Sequence, residues 1–449
     1  MHFLADAKLA KDPFGQTLTW VLPSIYRRYR WVWGHQSAPG FAGRAEVKIV
    51  CVGGGPAGLS FATLMKMCDQ AHEITVLDRN PAGSTYGWGI TYWQPLLDKL
   101  VDIDPRLADE IRDSSFRWSG SLIDQEGTRT ESLGHSGLSI SRQALLDILA
   151  RRATELGIDI QFEHDVADPS QLPEADLIVA CDGVNSRLRK LHSGTFGTNV
   201  VTGRNKYIWL GTGKVFDAFN FAFTETDAGW IWFYGYGFDG QTSTVIVECS
   251  PETWAGLGFD ALDEKGATAL LSRIFARQLD GHPLLSAAPN HTGAVWANFA
   301  TVTNERWHHD NIVLMGDAAH TTHYSIGSGT ILALEDAIAL AEKLCGEQDL
   351  VSALDAYQTE RLRAIVPHQG WARNSARWYE DLPRYIRLRP AEFSVALRAR
   401  RSPMLPHFPP RIYCRLYRVV ERLYRLTQES AGLRKLREQL GPKAIRSGG

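Results

Sequence analysis

The segment that most restricts the fold is Gly53-x-Gly55-x-x-Gly58, set between a β-branched run, Val47–Val52, and a helical stretch, Leu59–Cys68. A chain that leaves a strand, turns on glycine and enters a helix aims backbone amides and the positive helix end at one point. The first glycine permits the tight turn, the second lets a pyrophosphate approach the backbone, and the third lets helix pack on strand. A second strand, Glu73–Asp78, ends on a carboxylate twenty residues beyond Gly58, where it can accept from ribose hydroxyls. With Pro56 and Ala57 in the turn and Arg79 beside Asp78, these residues make a candidate dinucleotide site. A glycine turn of purely steric origin is the competing reading.

Two distant segments specify the dinucleotide. An apolar strand, Asp176–Cys181, runs into Asp182-Gly183-Val184-Asn185-Ser186-Arg187. Another, Ile312–Met315, runs into Gly316-Asp317-Ala318-Ala319-His320, and Gly327-Ser328-Gly329 then precedes the helical stretch Thr330–Cys345. The three pieces resemble the glycine, DG and GD motifs of the single-component (class A) FAD monooxygenases of the p-hydroxybenzoate hydroxylase type. The resemblance spans Val47 to about Arg401.

That resemblance implies FAD as cofactor, NADPH or NADH as electron donor, and O₂ as co-substrate. It implies an α/β fold: a Rossmann-like FAD-binding domain of the glutathione reductase type, an inserted antiparallel β-sheet substrate domain, and C-terminal helices. Asp317 would hold the ribitol chain, and Asp182 would support both FAD and transient nicotinamide binding. Arg142, in Ser141-Arg142-Gln143-Ala144, resembles the arginine that reaches the FAD phosphates, beside the plainer reading of a solvated arginine at a helix start. The N-terminus of the Thr330–Cys345 helix would stabilise the anionic reduced flavin.

A narrower resemblance lies in Tyr86-Gly87-Trp88-Gly89-Ile90, Asn205–Thr212 and Thr322–Thr330. These segments are similar to the monooxygenases acting on aryl-CoA thioesters, such as salicylyl-CoA 5-hydroxylase and 2-aminobenzoyl-CoA monooxygenase. Relatives of that subgroup modify indole rings in violacein-type secondary metabolism. Gly89 and Ile90 are expected beside the isoalloxazine, with Gly87 and Gly89 giving backbone access, and Trp88 as either substrate wall or core. The chain departs from the class at Tyr324, where proline is usual, and at Ile331, where asparagine is usual. In the CoA subgroup phenylalanine is commoner than Tyr324, so a hydroxyl has been added.

The implied reaction is hydroxylation or epoxidation of an electron-rich aromatic or unsaturated substrate through a flavin C4a-hydroperoxide, with the substrate free or tethered to CoA or a carrier protein. Water must be kept out. His323 and Tyr324 are the candidate catalytic residues, as substrate contacts or a proton relay; packing that shapes the loop is the alternative, and His320 reads as structural. No metal site is expected. An FAD-dependent dehydrogenase, a flavin halogenase (from Trp230-Ile231-Trp232-Phe233-Tyr234) and a non-catalytic flavoprotein scaffold are the rival readings. Strand alternation places Trp230, Trp232 and Tyr234 on one face, which favours sheet packing over a halogenase motif.

The expected organisation is an aromatic, basic arm over 1–46; an FAD-binding domain over 47–95, 135–200 and 296–345; a substrate domain over 96–134 and 201–295; a helical segment over 346–400; and a basic helical tail over 401–449. Strands are expected at Asn220–Thr224, Trp230–Tyr236 and Thr242–Cys249, and helical patterns are broken by Pro367, Pro383 and Pro390. The net charge of −2 supplies no field for nucleic acid. It conceals a tail with eleven Lys or Arg against three Glu. Arg415, Arg418, Arg422 and Arg425, with Arg27, Arg28, Arg30, Trp31 and Trp33 of the arm, could meet CoA phosphates, a carrier protein or a membrane surface; a solvated helix face is the plainer reading. Without a C-x-x-C pair, the six cysteines read as reduced thiols of a cytoplasmic protein. No apolar run is long enough for a membrane span.

Overall fold

The computed structural model describes residues 47–422 apart from Tyr86, Ala167, 288–293 and 347–348. The arm of residues 1–46, and Arg425 with the rest of 423–449, lie outside the described residues. Residues 47–380 make one compact unit, and 381–422 belong to another.

The larger unit begins β1 (Lys48–Val52), α1 (Pro56–Cys68), β2 (Glu73–Leu77), β3 (Gly89–Tyr92), α2 (Gln94–Ile103), α3 (Pro105–Asp113), β4 (Ser115–Gln125) and β5 (Thr128–Ser141). It continues through α4 (Arg142–Glu155), β6 (Asp159–Gln161), β7 (Leu177–Ala180), α5 (Arg187–Leu191), α6 (Ser193–Phe196), β8 (Asn199–Thr212), β9 (Phe219–Thr226), β10 (Gly229–Gly237) and β11 (Ser243–Cys249). Last come α7 (Pro251–Gly256), α8 (Glu264–Ile274), β12 (Leu284–Leu285), β13 (Ala297–Thr303), β14 (His308–His309), β15 (Ile312–Leu314), α9 (Gly329–Gly346) and α10 (Leu350–Glu380).

Six strands form one sheet in the order β14-β15-β7-β1-β2-β6. From β15 to β6 every pairing is parallel, with Leu314 beside Ala180, Ala180 beside Val52, and Val52 beside Leu77. Four strands therefore end level. The residues that follow them are Gly53, Asp78, Cys181-Asp182 and Met315-Gly316-Asp317, so segments dispersed over more than two hundred residues emerge at one sheet edge. Buried Ile, Val, Leu and Ala make these strands apolar on both sides, as a covered parallel sheet requires.

The second sheet runs β12-β8-β11-β10-β9-β4-β5-β3, with β13 added to β8. Its central strands alternate with period two. Ile208, Leu210, Ile231, Phe233, Val245, Val247 and Cys249 join Leu271 and Phe275 in a separate core. Tyr207, Trp209, Trp232, Tyr234, Ile246 and Glu248 therefore occupy the opposite face. The expected α/β architecture is present; β3, the second half of β5 and β13, which fall within the segments assigned by sequence to the FAD-binding domain, are strands of the larger sheet.

Two sequence expectations are corrected. Pro367 lies inside α10 and does not break it. Tyr357 and Ile365 before it, and Ala372, Trp378 and Tyr379 after it, are all buried, and that packing outweighs a local cost of about 3 kcal/mol. Pro383 and Pro390 do stand at helix starts, opening α11 (Pro383–Ile386) and α12 (Pro390–Arg398) of the smaller unit. Cys68 and Cys345 are joined in a disulfide, not reduced. Helices α1 and α9 lie side by side and bring the two Cα atoms to 6.5 Å, a proximity concealed by 277 residues of separation. Cys51, Cys181, Cys249 and Cys414 are free and buried.

The glycine turn has the steric logic its spacing suggests. A Cβ on Gly58 would stand 2.1 Å from the Gly53 carbonyl oxygen, whereas one on Gly55 would meet nothing within 4 Å. Gly58→Ala should thus lower stability by about 1–3 kcal/mol and release FAD. Gly55→Ala should leave the thermal midpoint of the FAD-free protein nearly unchanged and weaken FAD retention alone. Thermal unfolding and the flavin absorbance of the purified variants check the pair.

Candidate active site

The level strand ends form the floor of a cleft. At β1, Gly53 adopts φ +119°, and a Cβ there would strike the Cys181 carbonyl at 2.3 Å, so only glycine permits this approach to β7. Gly55 caps α1 beside Pro56 at the first helical position, and the early amides of that helix face the opening. At β2, Asp78 accepts from Gly54 N at 2.7 Å and from Asn80 N at 2.8 Å, which ties the second strand end to the glycine turn. Arg79 is exposed.

At β7, Asp182 accepts from Arg187 N at 2.7 Å through Oδ2, while its buried Oδ1 has no partner. Burial holds this carboxyl above the usual range despite those hydrogen bonds. Gly183, at φ +80°, borders open space. At β15, Asp317 is enclosed by protein yet exposed to the cleft; burial raises its carboxyl, partly offset by His320, Arg142 and Arg189. Arg142 approaches Asp317 closely enough for charge coupling, and its Nε is buried without a partner. The solvated-arginine reading of Arg142 thus gives way to a guanidinium held in the cleft.

A cleft with glycine walls, a helix N-terminus, an unsatisfied carboxylate oxygen and an unsatisfied guanidinium nitrogen fits a dinucleotide. Here Gly53–Gly58 would take the pyrophosphate, Asp78 a ribose, and Asp317 with Gly327–Gly329 the flavin end.

Sequence reasoning missed the parts that hold this cleft rigid. Arg189 is almost fully buried and donates to the carbonyls of Val184, Asp317 and Ala318, stapling the DG loop to the GD loop. Asp336 of α9 is fully buried and accepts from Gly316 N at 3.1 Å and Arg361 Nε at 2.6 Å, with His320 Nε2 at 2.8 Å. Burial alone would raise the Asp336 carboxyl; His320 and Arg361 override it and hold it below the usual range. His320 is accordingly a structural anchor. The only advance signal was an Asp and an Arg at helical positions otherwise rich in apolar residues.

Above the cleft, a 3₁₀ turn at Tyr324–Ile326 carries the candidate catalytic pair. His323 Nδ1 lies 2.8 Å from Ser325 Oγ, which lies 2.7 Å from Ser375 Oγ of α10. Thr322 and Ser328 hydroxyls meet at 3.0 Å and close the loop. The Tyr324 ring packs against Tyr207 at 4.5 Å, Phe299 at 5.6 Å and Tyr234 at 6.0 Å, so it faces the aromatic side of the sheet. Tyr207 is coupled in turn to Asp317.

Gly87 and Gly89 lie against aromatic side chains. A Cβ on Gly87 would meet the Trp209 ring at 2.9 Å, and one on Gly89 the Phe238 side chain at 2.4 Å. Gly89 N donates to Thr244 Oγ1 and Gly89 O accepts from Tyr236 Oη, both at 2.8 Å. These glycines admit aromatic rings, and the polar groups of Gly89 are already engaged within the protein. Ile90 is buried in pairing with Ile140. Trp88 lies over Gly211 and is 7 % exposed, a core residue. Trp232 stacks on Tyr379 and Tyr234 lies among Phe219, Phe221 and Tyr324, so the residues that suggested a halogenase are packing residues.

Residues 46–367 match the FAD binding domain family. Salicyloyl-CoA 5-hydroxylase of Streptomyces is 36% identical over 76% of this chain and 67% of its own. The chain belongs to this family of FAD-dependent monooxygenases. The 3-hydroxy-4-methyl-anthranilyl-[aryl-carrier protein] 5-monooxygenase of Streptosporangium sibiricum is 37% identical over 75% of this chain and 90% of its own. Protodeoxyviolaceinate monooxygenase of Chromobacterium violaceum is 31% identical over 80% and 96%. Among solved structures, 2-methyl-3-hydroxypyridine-5-carboxylic acid oxygenase shares the fold with TM-score 0.63 and 18% identity, over 79% of this chain and 96% of that one. FAD is the cofactor, with NAD(P)H as donor. Among the described residues no helix is long and apolar enough to cross a membrane, and no metal-binding cluster occurs.

Asp336→Ala takes from buried Arg361 its 2.6 Å partner and leaves Glu335 at 3.6 Å, so this flavoprotein should lose about 3–5 kcal/mol at neutral pH. Because the folded Asp336 carboxyl is depressed, its contribution is complete above the unfolded value of about 4 and is lost as pH falls below it. Urea unfolding of wild type and variant should show a difference that narrows on acidification through that range.

Proposed function

We propose that this monooxygenase hydroxylates the ring of an aryl group carried as a thioester, on CoA or on a carrier protein. The observation that carries this reading is the aromatic face of the second sheet. In register across four strands, Phe223, Trp232, Glu248 and Tyr207 form one row, and Phe221, Tyr234, Ile246 and Trp209 the next. Such a surface, with the Tyr324 ring packed on it, presents the ring faces that a flat, electron-rich substrate prefers. Relatives whose names specify an aryl-CoA and an aryl-carrier-protein substrate support the thioester.

When bound, FAD supplies the activation of O₂ with electrons from NAD(P)H. Protein residues do the rest. Gly53–Gly58 with the α1 N-terminus, Asp78, Arg142, Asp182 and Asp317 would hold the cofactor. The α9 N-terminus at Gly327–Gly329 would present a positive dipole to the flavin end. The aromatic rows exclude water, which would uncouple reduction from oxygen insertion. His323 and Tyr324 face the ring, with His323 oriented through Ser325 and Ser375.

The finer reading of the tail is that Arg411, Arg415, Arg418 and Arg422, all exposed on the helical residues 410–422, attract the phosphates of CoA or an acidic carrier protein. Arg418 is already near Glu392, at 3.9 Å.

Oxygen uptake decides the main reading. With NADPH or NADH, salicyloyl-CoA or anthraniloyl-CoA should stimulate O₂ consumption and yield a product heavier by one oxygen atom. Free salicylate and anthranilate should stimulate it far less. Equal stimulation by the free acids would remove the thioester, and no stimulation by any of the four would remove aryl hydroxylation. Charge-reversal of Arg415 and Arg422 should raise KM for the thioester with kcat unchanged, more steeply at low salt.

A further inference from the structure

Glu248 is the one buried carboxylate on the aromatic face among the described residues, and nothing in its sequence context marks it. It lies on β11, level with Trp232 of β10 and Tyr207 of β8, and is 1 % exposed. One oxygen, Oε1, accepts from Asn205 Nδ2 at 2.8 Å. The other, Oε2, is buried with no direct hydrogen-bond partner. Tyr324 Oη and Trp232 Nε1 are also buried without direct partners, and both side chains lie near enough to the Glu248 carboxyl to bias its ionisation. The Glu248 carboxyl thus draws on Asn205, Tyr324 and Trp232, an incomplete set of donors at one point of an otherwise aromatic wall.

Such a group is costly unless something satisfies it. No cation pairs with Glu248 among the described residues; its charged neighbour is Glu380, at the end of α10, which has the same sign. A packing role is poorly served by a carboxylate, since leucine or glutamine would fill the same space without the charge penalty. A ligand-binding role explains it. The same cluster borders the cofactor cleft, because Tyr324 packs on Tyr207 and Tyr207 is coupled to Asp317.

We propose that Glu248, flanked by Asn205, Tyr324 and Trp232, is the specificity-determining residue that accepts a hydrogen bond from an O–H or N–H substituent on the substrate's aromatic ring. The proposal rests on the aryl-hydroxylase reading and adds the residue that senses the donor substituent of the ring. The hydrogen bond fixes which edge of the ring is presented, and it pushes electron density into the ring to be oxidised.

The charge state of the carboxyl gives the arrangement a pH signature. The groups facing Glu248 are Asn205 and Tyr207 from β8, Trp232 and Tyr234 from β10, Tyr324 from the loop, and Glu380. Burial pushes the carboxyl up to about 7. Above that pH it is an ionised acceptor; as pH falls through it, protonation weakens the acceptor and the preference for donor-bearing rings declines.

The test compares binding of two ligand pairs to the FAD-loaded enzyme by calorimetry, each pair differing in one ring donor: salicyloyl-CoA with benzoyl-CoA, and anthranilate with benzoate. Wild type at pH 8 should favour the donor-bearing member of at least one pair by roughly tenfold or more. Glu248→Gln turns an amide NH₂ toward the ring while Asn205 holds its oxygen, and Glu248→Leu removes the acceptor altogether. Both should reduce the preference to about threefold or less, abolish its pH dependence, and leave affinity for the member lacking the donor unchanged. Flavin absorbance and thermal midpoint confirm that each variant is folded.

The assignment is overturned if wild type shows no preference in either pair, if the variants retain it, or if both members of a pair lose affinity equally. Failure of the CoA pair alone, with the preference intact for anthranilate, overturns the thioester reading and supports Glu248.

Discussion

The level ends of four parallel strands are the constraint from which this molecule is built. Hydrogen-bonded register places Leu77, Val52, Ala180 and Leu314 side by side, so the residues that follow must turn away from the sheet together. Parallel strands ending in line create the crevice that open α/β sheets use for ligands. Gly53, Asp78, Asp182 and Asp317 meet for that reason alone. Slippage of any strand by one residue would carry its carboxylate out of the cleft and turn its apolar side chains to the wrong face.

Two buried cations secure this edge in different ways. Arg189 ties loops to one another through backbone carbonyls, whereas Arg361 ties helix to loop by way of Asp336. Each guanidinium has several acceptors, although Arg189 Nε itself has none. By contrast, the cleft itself retains unmatched atoms, Asp182 Oδ1 and Arg142 Nε among them. A cofactor that satisfies such groups adds its binding free energy to stability, so the apo-protein is expected to be the weaker of the two forms.

The second sheet separates its tasks by side-chain alternation. One face, with Ile231, Phe233, Val245 and Val247, closes a core with α8; the other presents rings and a single buried carboxylate. The same period-two geometry explains why Trp232 and Tyr234 resemble a motif yet serve as wall, and why Glu248 is invisible in a run of β-formers. Glycine has a parallel role here: Gly87, Gly89 and Gly211 exist to admit Trp209, Phe238 and Trp88, which keeps the wall continuous.

By itself the sequence determined the class of fold, the cofactor and the level of the chemistry. These depend on local signals: a strand–glycine–helix turn, an acid at a strand end, and two further strand-terminal motifs in a fixed order. Each is readable within about ten residues because steric and helix-end constraints act over that range. Gly53–Gly58, Asp78, Asp182 and Asp317 belong to this group, whereas Arg142 entered only through its resemblance to a family arginine. Only the tertiary structure decided what lies across the cleft. Arg189, Asp336, Arg361 and Glu248 acquire meaning from partners distant in sequence, such as Ala318 for Arg189 and Asp336 for Arg361. The Cys68–Cys345 disulfide and the uninterrupted helix through Pro367 likewise follow from packing between distant segments, which overrides local propensity. Burial turns an ordinary glutamate in a strand into a group poised near neutrality, and burial is a property that no single stretch of this chain possesses before it folds.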